Sequence, residues 1–401
     1  MFGARLLAQV HSEAPDKNVV IAPLSLTVLL GAIQSSSSRD EAREEFGRAF
    51  GWGAYPDLRF PARMVLAVME KPKQPIPAKA RPGLMWDGQT YEPESLWMEN
   101  RLLYRSPKAG RGLLDPRFME SASSNFGLQL VSTGERLPSE SDLRGSRQSV
   151  GHLPPVSPLN QVRLSSGVHM RQSWEKIFMQ SEPEPGEFRL QSGEKRKVLR
   201  VYSELWKYPH LKNDQFEAVA LPCGRVEVTF VLPAPKSTIQ ELEQFLVTHP
   251  DALDGMSTSR YGTVTLTQFE INTTTHLESA LTVMGILDIF EHLDGISSGQ
   301  TFRDPNDFSK GMIPAVNSKV SDLAQSINFG ADKHGVHADA ETLIGAIPAG
   351  ILSAPNVFQV SLDRPFVFLV RERTTNALLF AGALMDPGDA TTAKGGTKSA
   401  R

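Results

Sequence analysis

The chain closes on Asp363-Arg364-Pro365-Phe366-Val367-Phe368-Leu369-Val370, a turn over Arg371–Ala377, and Leu378-Leu379-Phe380-Ala381-Gly382. Phe366–Val370 and Leu378–Ala381 are unbroken apolar runs, which suits strands buried on both faces. Joined by so short a polar link, they read as a hairpin. The stretch just before them is of the opposite kind. Residues 331–362 are rich in Gly, Ala, Ile and Pro and show no helical period. So long a structureless loop in a compact domain carries function, or else marks a wrong assignment.

Working outward, Val316–Phe329 reads as a long strand leading into that loop. Before it, His276–Phe290 has the spacing of an amphipathic helix, and Tyr261–Ile271 alternates as a strand. Thr238–Leu246 is a helix capped by Ser237 or Thr238. Arg225–Leu232 alternates and stops at Pro233, and Phe216–Leu221 and Val198–Trp206 are further strands. Residues 161–170 lead into Ser173-Trp174-Glu175-Lys176-Ile177-Phe178. Residues 133–160 are polar and Pro-rich, with a weak helical signal at Ser141–Val150. Pro116–Phe126 is an amphipathic helix, Asn100–Tyr104 a strand, and 70–95 an irregular loop. At the start, Phe2, Leu6, Leu7 and Val10 share one helix face. Arg5 interrupts the apolar character and no small-residue cleavage site follows, so this is not a signal peptide. Asn18–Ile21 is a short strand, and Pro23 opens a helix that is apolar nearly all round through Ile33. Ser38 with Glu41 would cap a third helix, which buries Phe46, Ala49 and Phe50.

Composition removes several classes. The 401 residues carry 42 basic and 45 acidic side chains, for a net charge of −3. That balance opposes nucleic-acid binding, which requires a basic face. Hydrophobic residues make up 40 %, enough for a large core. The single cysteine, Cys223, excludes internal disulfides and cysteine zinc sites. It reads as a packed small hydrophobe. No apolar run reaches the roughly 20 residues of a membrane span. No phosphate-binding glycine motif or nucleophile elbow is present, which leaves no enzyme signature and no implied cofactor. His334 and His337 lack a third ligand nearby and read as solvated loop residues, not metal ligands. Asn272-Thr273-Thr274 is a glycosylation sequon, meaningful only in a eukaryotic secretory route.

An ordered series of segments resembles the serpins along almost the whole chain. These are Asn18-Val-Val-Ile-Ala-Pro-Leu-Ser25, Ser173-Trp174-Glu175 with Phe178, Ala218-Val-Ala-Leu-Pro222 and Val231-Leu232-Pro233. Thr267-Gln268-Phe269, His276-Leu277 and Met284–Phe290 follow, and Asp363–Phe366 with Leu379–Gly382 and Pro387 complete the set. Length alone allows two or three domains at roughly 100–200 residues each. The resemblance implies one, over residues 1–387, with a disordered tail at 388–401. It implies an α+β fold of three β-sheets and about nine helices, with 331–362 as an exposed reactive-centre loop. It further implies a monomeric inhibitor that traps a serine or cysteine protease covalently, in a secreted or extracytoplasmic setting, and brings no catalytic residues of its own. The rival reading on the same fold is a non-inhibitory carrier, cut as a plain substrate.

The loop's aptitude for insertion can be judged from the residues. In Gly335-Val336-His337-Ala338-Asp339-Ala340-Glu341-Thr342 the even positions are small or β-branched, and the odd ones are ionisable. A strand entering a sheet needs this period of two, and a slip of one residue would bury three ionisable groups. The alternative is an ordinary exposed loop that alternates by chance. Lys333 and His334 stand where family inhibitors carry acids, and His337, Asp339 and Glu341 dilute the usual alanine hinge. By alignment the sheet-opening region comprises Asn18, Ser25, Ser166, Trp174, Ser321 and Gln325, with Gln325 and Ser166 in place of a His and an Asn, and Ala22 in place of a Ser. The helix expected over the main sheet, near Ser139–Leu153, is short. Family spacing puts the reactive bond at Ala349-Gly350, with Leu352, Ser353 and Ala354 as alternatives. A small residue there suits proteases with shallow pockets.

Overall fold

The computed structural model describes residues 2–36, 46–50, 83–84, 90–91, 95–105, 116–133, 162–175, 178, 182–287, 290, 323–338 and 357–388. Five helices with defined bounds lie among them, α1 (Phe2–Ser12), α2 (Pro23–Ser36), α3 (Pro116–Phe126), α4 (Ile239–Thr248) and α5 (Glu278–Val283), and residues 46–50 are helical as well. The strands are β1 (Val19–Ile21), β2 (Gly83–Leu84), β3 (Thr90–Tyr91), β4 (Ser95–Arg105), β5 (Gln129–Thr133) and β6 (Val162–Ser173). Then come β7 (Glu184–Arg189), β8 (Lys195–Tyr202), β9 (Trp206–Lys212), β10 (Phe216–Cys223), β11 (Val226–Pro233), β12 (Ser259–Thr267) and β13 (Phe269–His276). β14 (Ala324–Ala331), β15 (Gly335–Ala338), β16 (Phe358–Leu362), β17 (Phe366–Glu372) and β18 (Leu378–Leu384) end the series.

The architecture is α+β with three sheets. The largest runs β1-β18-β17-β11-β10-β9-β12-β8-β7, with β16 added parallel to β12. The second runs β13-β14-β15-β6-β4-β5, and β2 pairs with β3 in a third. Aromatic side chains join the two large sheets. Phe329 of β14 stacks on Phe368 of β17 at 4.7 Å between centroids, and Phe269 of β13 meets Phe366 at 5.8 Å. Rings of this size contribute area and geometric preference together. On the other face of the β17–β18 hairpin, α1 and α4 pack against each other, tied by His11 Nδ1 at 2.8 Å from Glu243 Oε1. Thr238 caps α4: its Oγ1 accepts from Glu241 N at 3.2 Å, while Glu241 Oε2 accepts from Thr238 N at 2.8 Å. The hairpin turn is fixed by Glu372. Burial pushes its carboxyl up, but donations from Thr375 and Thr374 outweigh this and hold it below its ordinary value.

Several expected boundaries move. The Tyr261–Ile271 strand is two strands, β12 and β13, that break at Gln268. The Val198–Trp206 strand likewise divides into β8 and β9. His276 ends β13 instead of opening a helix, and α5 is short. The cause is local: Thr273–Thr275 are β-branched, and Asn272–Thr275 pairs along Gln325–Asn328 of β14, while Gly285, at φ 93°, closes the turn after α5. The long strand into the loop is β14, with 316–322 outside the described residues. So are the Ser38–Glu41 cap and the segments around Ser139–Leu153 and 389–401. Within 331–362, the ends differ from a structureless loop, because Gly335–Ala338 and Phe358–Leu362 are strands.

Candidate functional site

β15 lies between β14 and β6, hydrogen-bonded to both. His337 stands opposite Gly330 and Arg171, and Val336 opposite Ala331 and Gln172. Val336 faces the core at 1 % exposure, while His337 on the outer face is half-buried. Gly335 is required here: a Cβ would come within 1.8 Å of the Gln172 carbonyl oxygen. The turn between β14 and β15 is closed by Asp332, whose Oδ1 accepts from His334 N at 2.7 Å and Gly335 N at 3.2 Å.

Trp174, at the end of β6, is buried beneath this turn. Its Nε1 donates to Asp332 O at 2.7 Å, and its backbone N–H donates to His334 O at 2.9 Å. Phe178 meets the ring edge-on at 5.6 Å. The same end of β6 reaches the large sheet. Gln172 Oε1 accepts from Arg225 N at 2.6 Å, and Cys223 Sγ donates to Gln172 O at 3.1 Å. Lys333 is buried at 6 % exposure, with Nζ 3.1 Å from Glu182 Oε2. His334 carries its Nε2 buried and unpartnered. Burial, and the neighbouring Lys333 charge, lower its pKa against the opposing pull of Asp332 and Glu182. The two histidines read from sequence as solvated are therefore partly enclosed. Among the described residues no His, Cys, Asp and Glu cluster could hold a metal.

At the other end of β14 a second polar group meets α2. Gln325 Nε2 donates to Ala22 O at 2.9 Å and to Ser25 Oγ at 3.0 Å, and Gln325 Oε1 accepts from Ala22 N at 3.0 Å. Ser25 Oγ donates to Ala22 O at 3.0 Å. Across the sheet, Ser166 of β6 pairs with Asn100 of β4 in register, and its hydroxyl is buried without a partner. Asn18 lies apart from this group. It accepts from Met385 N and Asp386 N at 2.7 and 2.8 Å and donates to Asp386 O, so it pins the end of β18.

Residues 148–387 match the family model for the serpins, serine protease inhibitors. The chain belongs to the serpin family. Leukocyte elastase inhibitor of Sus scrofa is 22 % identical over 96 % of this chain and 97 % of its own length. Iris of Ixodes ricinus is 25 % identical over 56 % of this chain, a match that spans 57 % of that protein. Among solved structures, human thyroxine-binding globulin complexed with thyroxine superposes with a TM-score of 0.72 at 18 % identity, covering 97 % of each chain. The thermophilic serpin tengpin, in its native state, gives 0.71 at 18 % identity, over 96 % of this chain and 93 % of its own. At such identities the likeness of structures establishes the fold. Serpins generally act as inhibitors or binding proteins and not as catalysts, and no helix among the described residues is long and apolar enough to cross a membrane.

Against this serpin frame, the candidate residues fall into three groups. Gly335 and Val336 are in β15 beside Trp174, and Ala338 is the strand's last residue. Ser25 and Gln325 touch, with Ser166 on the facing strand and Asn18 elsewhere. Ser321, Ala340, Thr342, Ala349, Gly350, Leu352, Ser353 and Ala354 lie outside the described residues. The sequence reading passed over Glu182, Asp332 and Gln172. Asp332 two residues before His334 is an Asx-turn spacing that could have been recognised. The Glu182–Lys333 contact joins residues far apart in sequence and left no local signal.

Proposed function

We propose that this serpin inhibits proteases as a suicide substrate: the protease cuts the loop beyond β15, and the loop's first part then enters the second sheet between β14 and β6. One observation supports this most directly. The hinge is already strand β15, bonded on both sides, with Val336 toward the core. Carried on in the same register, Ala340 would meet Ile327 and Val168, and Thr342 would meet Gln325 and Ser166. Small or β-branched residues would face inward, while Asp339 and Glu341 would face water. The protease supplies the nucleophile, and this chain, as a monomer, supplies the bait at Ala349-Gly350, with Leu352, Ser353 and Ala354 as neighbouring options. Small residues there favour proteases with shallow pockets.

Mixing the protein with elastase, subtilisin or chymotrypsin and running denaturing gels tests the reading. An adduct that survives denaturant is expected, together with a large rise in the Tm of the cleaved chain, because the uncut form is held kinetically. Cleavage with neither adduct nor Tm rise would overturn it. The second reading is a carrier on the same fold. It is supported by the fold shared with human thyroxine-binding globulin, which was solved in complex with thyroxine. Clean cleavage with unchanged stability would support that reading instead.

A further inference from the structure

β14 and β6 both run on past Ala338, the last residue of β15, and among the described residues no pairing joins them there. The outward face of β6 beyond that point carries His169. Its half-buried ring stacks on Trp97 of β4, opposite it in register, at 3.9 Å between centroids and 13° between planes. The ring also lies along its own strand, because a Cβ on Gly167 would come 3.5 Å from His169 Nε2. An imidazole stacked on an indole and carried over a glycine is an oriented polar group, not a freely turning surface side chain.

The charge around this ring has a sign. Arg171 is the next residue on the same face, and it stands opposite His337 of β15. On the other side Glu99 of β4 stands opposite Gly167, where Arg101 contacts it. The flank on β14 is neutral: Asn328, whose Oδ1 is buried without a partner, and Ser326. Two arginines and two histidines therefore face one glutamate on this side of the sheet.

The chain itself supplies the complement. Asp339-Ala340-Glu341 follow Ala338 directly. Each residue further along the loop moves one position back on β6 and on β14. A strand entering in the register of β15 therefore sets Asp339 opposite His169 and Asn328, and Glu341 opposite Gly167 and Ser326, both on the outward face. Directly opposed residues of an antiparallel pair have Cβ atoms about 5 Å apart. His169 Nε2, lying over Gly167, falls between the two incoming carboxylates. We infer that His169, oriented by Trp97, receives Asp339 and Glu341 as the loop enters the sheet, and so helps decide whether a cleavage ends in trapping or in release. This inference rests on the proposed loop-cleavage reading and names a positioning residue for it outside the loop. His169 touches neither the reactive bond nor the protease; it acts through the strand that carries the protease. The two acids that dilute the alanine hinge thereby gain a partner in the sheet they enter.

The experiment compares the intact chain with its His169→Glu, Asp339→Lys and doubly substituted forms, each mixed with elastase, subtilisin or chymotrypsin. Three quantities are read: the rate of loop cleavage, the ratio of adduct to cleaved product, and the Tm before and after cleavage. Each single substitution should leave the cleavage rate unchanged, lower the adduct ratio about fivefold or more and shrink the Tm rise that follows cleavage. The double form restores an opposite-charge pair and should recover most of both losses. A role of His169 in the stability of the uncut sheet alone would instead lower the Tm before cleavage and gain nothing from Asp339→Lys. Should His169→Glu fail to fold, Asp339→Lys, which leaves the Trp97 stack untouched, still decides the matter. An adduct ratio and Tm rise unchanged in Asp339→Lys, or losses that simply add in the double form, would overturn the pairing and leave trapping intact. Cleavage of the unsubstituted chain with neither adduct nor Tm rise would remove the loop-cleavage reading itself, so the two failures are told apart.

Discussion

The two ends of the second sheet are held in different ways. At the upper end, β14, β15 and β6 form a continuous backbone ladder, and Trp174 underpins the turn that joins β14 to β15. At the lower end, β14 is fastened to α2 by a single side-chain amide, Gln325, while Ser166 on β6 keeps a buried hydroxyl without a partner. Ladder bonds are many and mutually supporting, whereas one amide is a single point of attachment. A sheet that must admit a strand would part more readily at the lower end than at the ladder.

The largest effect is expected where the ladder begins. In Gly335→Val the new Cβ meets the Gln172 carbonyl, a backbone group that cannot swing aside. Undocking β15 exposes Val336 and part of Trp174, at a cost of about 3 kcal/mol. The expected readouts are a red-shifted tryptophan emission, faster amide exchange over 335–338, and a shift from adduct toward cleaved product. Unchanged exchange at Val336 would show that the ladder does not depend on Gly335. Gln325→Ala at the other end removes three hydrogen bonds and strands the Ala22 N–H, while the Ala22 carbonyl keeps its donors Ser25 Oγ and Leu26 N. It should cost about 2 kcal/mol, read as a lower Tm with amide exchange at 335–338 unaffected. If both ends loosen together, the two halves of the sheet are one cooperative unit and the contrast fails.

The upper-end salt bridge comes next. Lys333 is buried but Glu182 is largely exposed, so water screens the pair and its loss in Glu182→Gln should cost about 1 kcal/mol or less. Differential scanning calorimetry would register that as a small fall in Tm. A fall as large as that of Gln325→Ala would place the pair among the main supports of the hinge.

The fold was legible where period and composition agree over long stretches. Phe366–Val370 and Leu378–Ala381 are buried strands because nothing in them tolerates water, and the Ser237-Thr238 pair marks the start of α4, with Thr238 the residue that caps it. Legibility failed where a strong local signal competed with pairing far along the chain. His276–Phe290 has helical spacing, but its neighbours Asn272–Thr275 find partners in β14 some fifty residues on, and the ladder prevails. The hinge was only half legible. Its alternation was on the page, but its docking depends on a gap between two strands that meet through tertiary structure. Gln325 and Ser25 were brought together by resemblance and do touch, while Asn18 shares Ser25's stretch of sequence but bonds to Met385 and Asp386 near the end of β18.

His334 gives the smallest and most conditional difference between the two ends. Its pKa is lowered in the folded protein, chiefly by burial and further by Lys333, against Asp332 and Glu182. A depressed histidine pKa means that the unfolded or undocked chain takes up its proton first as pH falls. The contribution of the neutral ring to hinge docking is therefore complete above about pH 6.5, the ordinary value, and is lost as pH drops below it toward the folded value. Among the described residues the hydrogen-bond partners of Gln325 are the Ala22 backbone and the Ser25 hydroxyl, none of which titrates, so the Gln325 attachment should not respond over the same range. Amide exchange at 335–338, compared with that at 324–327 between pH 7.5 and 5 and taken relative to the intrinsic rate at each pH, should accelerate at the hinge alone. His334→Gln should flatten that response. An equal acceleration at both ends, or one that survives the substitution, would assign the pH sensitivity to some other group and leave the hinge and the Gln325 attachment electrostatically alike.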